Sequence, residues 1–260
     1  MALSFREYGS GPSVVLLHAF PLDGRMWEPN VEEIADAGFS VVVPDLTGFG
    51  RSEAGPTTVG MEYMAREVSE AVASTGAAKS VFCGLSMGGY VLLRLYDIFP
   101  LAFAGMVLCD TSARADTDQK RAGREKMIES VESGGSGVLV DTLLPNLVSD
   151  TTKETNAALT SKIAAITRDQ EPEAICGALR GMASRPDSRK ILSDIRVPAR
   201  MIFGAEDQVT TLDAAKELVE GIGSSDLEVI PGAGHFSSLE APEAFNQSLI
   251  SFLKSVYSNS

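Results

Sequence analysis

The stretch KSVFCGLSMGGYVLLRL (residues 79–95) contains two apolar runs of different spacing, separated by a serine between glycines. The first run, 79–84, is almost continuously apolar, which is typical of a strand buried on both faces of a parallel sheet. The second run has helical spacing and begins near Met87. The stretch therefore predicts a strand, a tight turn at Ser86 and a helix, which is the repeating unit of an α/β fold.

Apolar runs like the first one recur along the chain. They predict further strands at 13–18, 39–45, 105–110, 197–205 and 226–234. Between the early runs, apolar residues recur at i, i+3 and i+4 up to a glycine, which predicts crossover helices that end there. The last predicted helix begins near Pro242, because proline has no N–H to leave unpaired in a first turn. These elements predict an α/β class with a mostly parallel central sheet and helices on both faces.

The stretch between residues 112 and 190 departs from this alternation. Its spacing predicts helices near 116–133, 136–148, 151–168 and 170–185, separated by breakers such as GGSG and QEPE. Because it lies between two predicted strands, we expect an all-helical lid (112–190) inserted into one core formed by 1–111 and 191–260. The apolar positions of this lid fit either helix packing or a substrate-facing wall, and both interpretations remain open. They include Met127, Leu139, Leu143, Leu144 and Met182.

The composition is that of a globular protein. Of the 260 residues, 44% are hydrophobic, which is ample for a large core. The net charge of −13, from 22 Lys and Arg against 35 Asp and Glu, leaves little to neutralise phosphates, so no nucleic-acid partner is expected. The start of the sequence lacks a signal-peptide pattern, and no apolar stretch reaches the roughly 18 residues of a membrane helix. We therefore expect a cytoplasmic protein without a membrane span, of undetermined oligomeric state.

Histidine and cysteine are scarce, and this limits the possible chemistry. Cys83, Cys109 and Cys176 are odd in number and far apart in sequence, so we expect reduced thiols and no disulfide framework. Together with His18 and His235 they are too dispersed to predict a metal site. Neither a dinucleotide-binding G-x-G-x-x-G unit nor a phosphate-binding P-loop occurs. No metal and no cofactor are therefore expected.

Gly84, Ser86 and Gly88 form the pattern G-x-S-x-G at the predicted strand-to-helix turn. In such a turn the serine takes strained backbone angles above the sheet, while the glycines let strand and helix approach closely. The helix N-terminus below the serine presents free N–H groups that favour a negatively charged oxygen. The pattern predicts a nucleophilic Ser86, although a glycine-rich turn without chemistry can have the same letters.

A nucleophilic serine needs a base and a third group that orients the base. His235 follows the last predicted strand, so it lies at the same sheet edge as Ser86 and is the predicted base. Asp207 follows the preceding strand and is the predicted acid, with Glu206 as a solvated neighbour. Asp110 ends another strand at this edge and remains a rival for the role of the acid.

His18 ends the strand 13–18 and leads into the loop AFPLD. This loop is well placed to supply one backbone N–H of an oxyanion hole, from Phe20, and the residue after the serine, Met87, supplies the other. We expect the His18 side chain to brace the loop through hydrogen bonds rather than to transfer protons.

Five motifs in this order and spacing resemble those of the α/β-hydrolase superfamily. They are HAFPLD (18–23), PDLTGFGRS (44–52), GLSMGG (84–89), GAED (204–207) and GAGHFSSLEAPEAF (232–245). The sequence is most similar to the small, lid-bearing serine hydrolases of the esterase, lactonase and C–C hydrolase group. Two features depart from that pattern: Ala19 stands where the family usually has glycine, and the sheet is expected to be one edge strand shorter, beginning with the strand in LSFREYG.

The resemblance implies that Ser86 is the nucleophile, His235 the base and Asp207 the acid, with the N–H groups of Phe20 and Met87 as oxyanion donors. It implies hydrolysis of a small carboxylic ester or lactone through an acyl-enzyme on Ser86. Two alternatives keep the same residues: acyl transfer to another acceptor or C–C bond hydrolysis, and slow or absent turnover in a protein that binds a small molecule as a sensor.

Overall fold

The computed structural model describes residues 3–258, and within them seven strands form one sheet. The strands are β1 (Phe5–Tyr8), β2 (Ser13–Leu17), β3 (Ser40–Pro44), β4 (Ser80–Leu85), β5 (Phe103–Cys109), β6 (Ala199–Gly204) and β7 (Ser225–Ile230). Their order in the sheet is β1-β3-β2-β4-β5-β6-β7. Strand β1 is antiparallel to β3 at one edge, and the other neighbours are parallel. The predicted mostly parallel sheet is confirmed.

Helices cover both faces of this sheet, as the sequence predicts. The helices outside the stretch between β5 and β6 are α1 (Glu28–Asp36), α2 (Met61–Ser74), α3 (Met87–Ile98), α11 (Leu212–Gly221), α12 (Ser237–Glu240) and α13 (Pro242–Ser258). Alternate residues of β2 belong to different apolar clusters: Val15 and Leu17 pack in the cluster that contains α2 and α3. Val14 and Leu16 pack in the cluster that contains α1 and α13. A strand with both faces buried has few polar positions, which explains the unbroken apolar run over residues 14–17.

The parallel register brings the carboxyl ends of the central strands to one edge. Leu17 of β2 lies beside Gly84 of β4, and Leu85 lies beside Cys109 at the end of β5. Residues that follow these strands therefore emerge next to one another, as ligand-binding residues do in open α/β sheets. This edge is where the candidate site lies.

The stretch between β5 and β6 is all-helical over residues 118–192, and we call it the helical segment. It contains α4 (Asp118–Gly134), α5 (Val138–Thr142), α6 (Leu144–Leu147), α7 (Asp150–Thr155), α8 (Ala157–Arg168), α9 (Pro172–Ala183) and α10 (Arg189–Leu192). Two helices predicted as continuous are each divided in two. Pro145 lies in the first turn of α6, and the Asn156 side chain accepts a hydrogen bond from Leu159 N–H and caps α8. The division of the chain at 112 and 190 stays a prediction.

Two further findings concern membrane spans and cysteines among the described residues. None of the helices described within residues 3–258 is both long and apolar enough to span a membrane. Cys83, Cys109 and Cys176 are all buried as free thiols.

Candidate active site

Ser86 lies between the last residue of β4 and the first of α3, with φ 54° and ψ −110°. A positive φ is strained for a residue with a side chain and persists only where the surroundings fix it. Here the Ser86 N–H donates to Cys109 O (2.9 Å), and its carbonyl accepts from the Thr111 hydroxyl (2.8 Å). The strained turn is thus held from the neighbouring strand β5.

The two glycines of G-x-S-x-G are required by close backbone contacts. A Cβ atom on Gly84 would lie 2.5 Å from Gly88 O, and one on Gly88 would lie 2.3 Å from Leu17 O. Both distances are far shorter than any van der Waals contact. The predicted reason for the glycines, close approach of strand and helix around Ser86, is confirmed.

His235 connects Ser86 to Asp207. Its Nε2 lies 2.9 Å from Ser86 Oγ, and its Nδ1 lies 2.8 Å from Asp207 Oδ2. Because the Asp207 carboxylate can only accept, Nδ1 carries the proton and Nε2 is free to accept from the serine hydroxyl. All three residues are buried. The structure thus brings the predicted serine, base and acid into one hydrogen-bonded chain.

Asp207 is fixed on its far side by the backbone. Its Oδ1 accepts from the N–H groups of Val209 (2.7 Å) and Thr210 (2.9 Å), so Oδ2 is left to face the imidazole. The preceding residue, Glu206, is exposed, as expected of a solvated neighbour. Two amide donors and one imidazole donor satisfy the buried carboxylate.

Asp110, the rival for the role of the acid, has a different position. Its Oδ1 accepts from Gly204 N–H (2.8 Å) and its Oδ2 from the Ser237 hydroxyl (2.5 Å), and none of the hydrogen bonds within residues 3–258 joins it to the His235 ring. Complete burial and the nearby charge of Asp207 raise the pKa of Asp110 well above its usual range, against the opposing effect of the Ser237 bond. Asp110 ties the end of β6 to the start of α12, which follows His235 closely in the chain.

His18 is fully buried, and its ring hydrogen bonds go to Ala19 and Leu46 rather than to Ser86. The Leu46 N–H donates to its Nε2 (2.8 Å), and its Nδ1–H donates to Ala19 O (3.1 Å). Burial lowers the pKa of His18, and the Ala19 carbonyl and the charges of Asp23 and Asp45 oppose this only in part. A neutral ring with both nitrogens engaged confirms the predicted bracing role.

The two residues predicted as oxyanion donors, Phe20 and Met87, are both close to Ser86 in the fold. Phe20 borders the same cavity as Ser86, and Met87 is the first residue of α3, so its N–H has no partner within the helix. Ala19, which replaces the usual glycine, is fully buried among apolar residues including Leu22 and Met26. Its N–H donates to Met26 Sδ (3.1 Å). The extra methyl group is therefore accommodated in the core.

A cavity of about 440 Å³ lies against Ser86 and His235. Its wall from the sheet side includes Phe20 and Tyr90. Its wall from the helical segment includes Lys120, Arg124, Met127, Leu143, Asn146 and Met182. The sequence left open whether Met127, Leu143 and Met182 pack within helices or face substrate, and the structure places them at the cavity.

Lys120 and Arg124 were not identified from the sequence as site residues. Their facing toward the cavity depends on how α4 folds back over the sheet, and helical spacing alone does not reveal that. A larger cavity of about 610 Å³ lies between residues 54–59 and helices α4 and α9, and neither Ser86 nor His235 borders it. We assign the site by its chemistry rather than by volume.

Comparisons with known proteins identify the family and the fold. A model of the α/β hydrolase fold family matches residues 12–242. The 3-oxoadipate enol-lactonase 1 of Acinetobacter baylyi is 28% identical over 247 residues, which are 95% of this chain and 90% of that protein. Two solved structures extend the comparison.

The first is a thermophilic esterase from Thermogutta terrifontis with malate bound, 35% identical with a TM-score of 0.95, covering 98% of this chain and 93% of that one. The second is an enol-lactonase from Burkholderia xenovorans, 26% identical with a TM-score of 0.90, covering 97% and 96%. The resemblance seen in the sequence is confirmed, and the chain belongs to the α/β-hydrolase fold family.

Proposed function

We propose that the protein is a serine hydrolase that cleaves a small carboxylic ester or lactone through an acyl-enzyme on Ser86. The observation that carries the proposal is the chain from Ser86 Oγ through His235 to Asp207, at a cavity large enough for a small organic ester. Family membership and relatives named as enol-lactonases and esterases support hydrolysis.

In the first step Ser86 Oγ attacks the ester carbonyl carbon while His235 Nε2 accepts the hydroxyl proton. Asp207 holds the imidazole in the required tautomer and stabilises the imidazolium that forms. The N–H groups of Phe20 and Met87 donate to the negatively charged oxygen of the tetrahedral intermediate. His235 then gives its proton to the departing alcohol oxygen, which leaves an acyl group on Ser86.

In the second step water attacks the acyl carbonyl. His235 accepts a proton from that water, and collapse of the second tetrahedral intermediate returns the proton to Ser86 Oγ and releases the acid. We propose that the helical segment acts as a lid, because it supplies one wall of the cavity and limits the access of bulk water to the acyl-enzyme.

The test is a burst-phase assay with a short-chain p-nitrophenyl ester, on wild type and on Ser86→Ala, with intact mass spectrometry. We expect a burst of nitrophenolate, steady turnover and an acyl adduct on Ser86, all lost in the variant. Acylation without turnover would favour the sensor alternative, and a new ester formed with an added alcohol would favour acyl transfer. Equal turnover in the two proteins would overturn the role of Ser86.

A further inference from the structure

The wall that the helical segment presents to Ser86 carries positive charge. Lys120 and Arg124 are four positions apart on α4, so they lie on one face of this helix, and both border the cavity of Ser86 and His235. This is notable in a chain of net charge −13. None of the described residues that border the cavity is acidic.

Arg124 belongs to a buried ionic cluster with an excess of positive charge. The Asp116 side chain has no solvent exposure and pairs with two guanidinium groups, those of Arg124 and Arg185 (2.6 Å to Arg185 Nη1). Burial raises the pKa of Asp116, but its bonds to Arg124 and Arg185 outweigh this and hold the pKa below its usual range. Asp116 is therefore ionised, and the cluster of one carboxylate and two guanidiniums carries a net positive charge.

This excess charge lies beside the cavity. Arg124 Nη1 is 3.5 Å from Met182 Sδ, and the Arg185 guanidinium is stacked 4.0 Å from the ring centre of Tyr90. Met182 and Tyr90 both border the cavity. A buried charge without a counter-charge is costly, so a negatively charged group in the cavity would be favoured there.

Lys120 adds a second, more accessible cation. It lies in the first turn of α4, is exposed, and forms no ion pair with any residue in the range 3–258. The neutral polar residues Asn146 and Gln208 complete the polar part of the lining. The wall thus offers one solvated ammonium and one guanidinium on adjacent turns of a helix.

We propose that the substrate of Ser86 carries a carboxylate group, which Lys120 and Arg124 bind while the ester carbonyl lies against Ser86. The substrate class is then a half-ester, or a lactone with a free carboxylate, rather than a neutral ester. This inference rests on the proposed function for its catalytic part. The binding part depends only on the cavity and its charges.

The first experiment compares monomethyl glutarate with its amide isostere, in which an uncharged carboxamide replaces the carboxylate. We expect wild type to hydrolyse the anionic half-ester with a kcat/KM about tenfold or more above that of the amide at low salt. The ratio should fall as sodium chloride is added, because the Lys120 ammonium is exposed to screening. A ratio of one or below would overturn the proposal.

Variants on α4 test which residue is responsible for the preference for the anionic half-ester. Lys120→Met should lower the ratio of the two kcat/KM values by about threefold or more, because the exposed ammonium is lost while Arg124 remains and no core contact changes. Lys126→Met is the matched control: Lys126 is exposed on the same helix but does not border the cavity, so the ratio should stay at its wild-type value. An unchanged ratio in Lys120→Met would remove Lys120 from the proposal.

A binding measurement separates this inference from the proposed hydrolysis. The Ser86→Ala protein, titrated calorimetrically with the same two compounds, should bind the half-ester about tenfold more tightly than the amide. If wild type hydrolyses neither compound yet this ratio of Kd values is seen, the hydrolase proposal fails and the carboxylate site stands. Equal Kd values would overturn the carboxylate site even in an active hydrolase.

Discussion

The sheet edge and the helical segment form opposite walls of one cavity, but their residues are held in different ways. At the sheet edge Ser86 and Asp207 follow the ends of strands. Backbone hydrogen bonds fix both of them, from the neighbouring strand β5 for Ser86 and from within its own loop for Asp207. In the helical segment Lys120 and Met127 occupy turns of one helix and are placed only by how that helix packs.

This difference separates the residues that act on the substrate carbonyl from the residues that select the substrate. The parallel sheet gathers the carboxyl ends of its strands at one edge, so the groups that act on a carbonyl are placed by the topology itself. The helices across the cavity contribute size and charge, which one substitution can alter without disturbing the strands. We therefore expect nearly all-or-none effects from changes at the sheet edge and graded effects from changes in the helical segment.

The largest effect is expected from His235→Ala. Removal of the only base within hydrogen-bond distance of Ser86 Oγ among the described residues should lower kcat by about 10³-fold or more. Steady-state hydrolysis of a p-nitrophenyl ester measures this. Circular dichroism and urea unfolding should show a folded protein, because His235 lies in a loop between β7 and α12 and not within either element.

Retention of activity would contradict the distinction between the two walls. If His235→Ala keeps kcat within tenfold of wild type while Lys120→Met loses more, the catalytic groups would lie in the helical segment instead. The same outcome would remove the proposed acyl-enzyme mechanism.

The next effect concerns Asp110, which joins the end of β6 to the start of α12. Both Asp110→Asn and Asp110→Ala remove the buried carboxyl, but only asparagine keeps an acceptor for Gly204 N–H and a polar partner for Ser237. The alanine variant should be about 2 kcal/mol less stable to urea than the asparagine variant, because it leaves buried polar groups unpaired. Equal free energies of unfolding would show that Asp110 does not hold β6 and α12 together.

Most of the sheet edge could be predicted because short-range patterns determine it. A buried strand shows itself as an apolar run, and the turn at Ser86 requires glycine at positions 84 and 88 for reasons local to that turn. The position of Asp110 was also evident from the sequence. The contacts of Asp110 could not be predicted, because its partners Gly204 and Ser237 lie far from it in the chain and only the fold brings them close.

The helical segment was predicted only as a set of helices. The break at Asn156 depends on a capping bond that competes with helix continuation. Asparagine favours such a cap, but the helical spacing that continues through residues 151–168 favours an unbroken helix, and the sequence does not decide between them. The facing of Lys120 and Arg124 toward the cavity and the burial of Asp116 depend on how α4 packs against α9 and the sheet. Helical periodicity records that a face is apolar but not which partner covers it.

A smaller effect, visible as a pH dependence, is expected from His18→Gln. The variant should be about 1 to 2 kcal/mol less stable than wild type near pH 7.5, because Leu46 N–H loses a well-placed acceptor. Burial lowers the pKa of His18, so in the acid range below about pH 6.5 the unfolded wild-type chain binds a proton that the folded one does not. Wild type therefore loses stability as the pH falls through this range.

Glutamine has no such proton, so the difference in the free energy of unfolding between the two proteins should narrow as the pH falls. Urea titrations at a series of pH values measure it. A difference that widens on acidification would mean that His18 is protonated in the folded protein, contrary to its two hydrogen bonds.

The smallest effect is expected in the helical segment, from Met127→Ala. Met127 is half-buried and borders the cavity, so its truncation enlarges the space for an acyl chain without touching Ser86. The ratio of kcat/KM for a longer to a shorter acyl ester should rise by about three- to tenfold, the low end of the range for a change in an apolar pocket.

Ile128→Val is the matched control for Met127→Ala, since Ile128 is buried in the core beside Met127 and does not border the cavity. That variant should lose about 1 kcal/mol of stability and keep the wild-type ratio. A shifted ratio in Ile128→Val would mean that the ratio follows the packing of α4 rather than the space at the cavity. An unchanged ratio in Met127→Ala would mean that the sheet wall sets the acyl length, and the separation of catalytic from substrate-selecting residues would no longer hold.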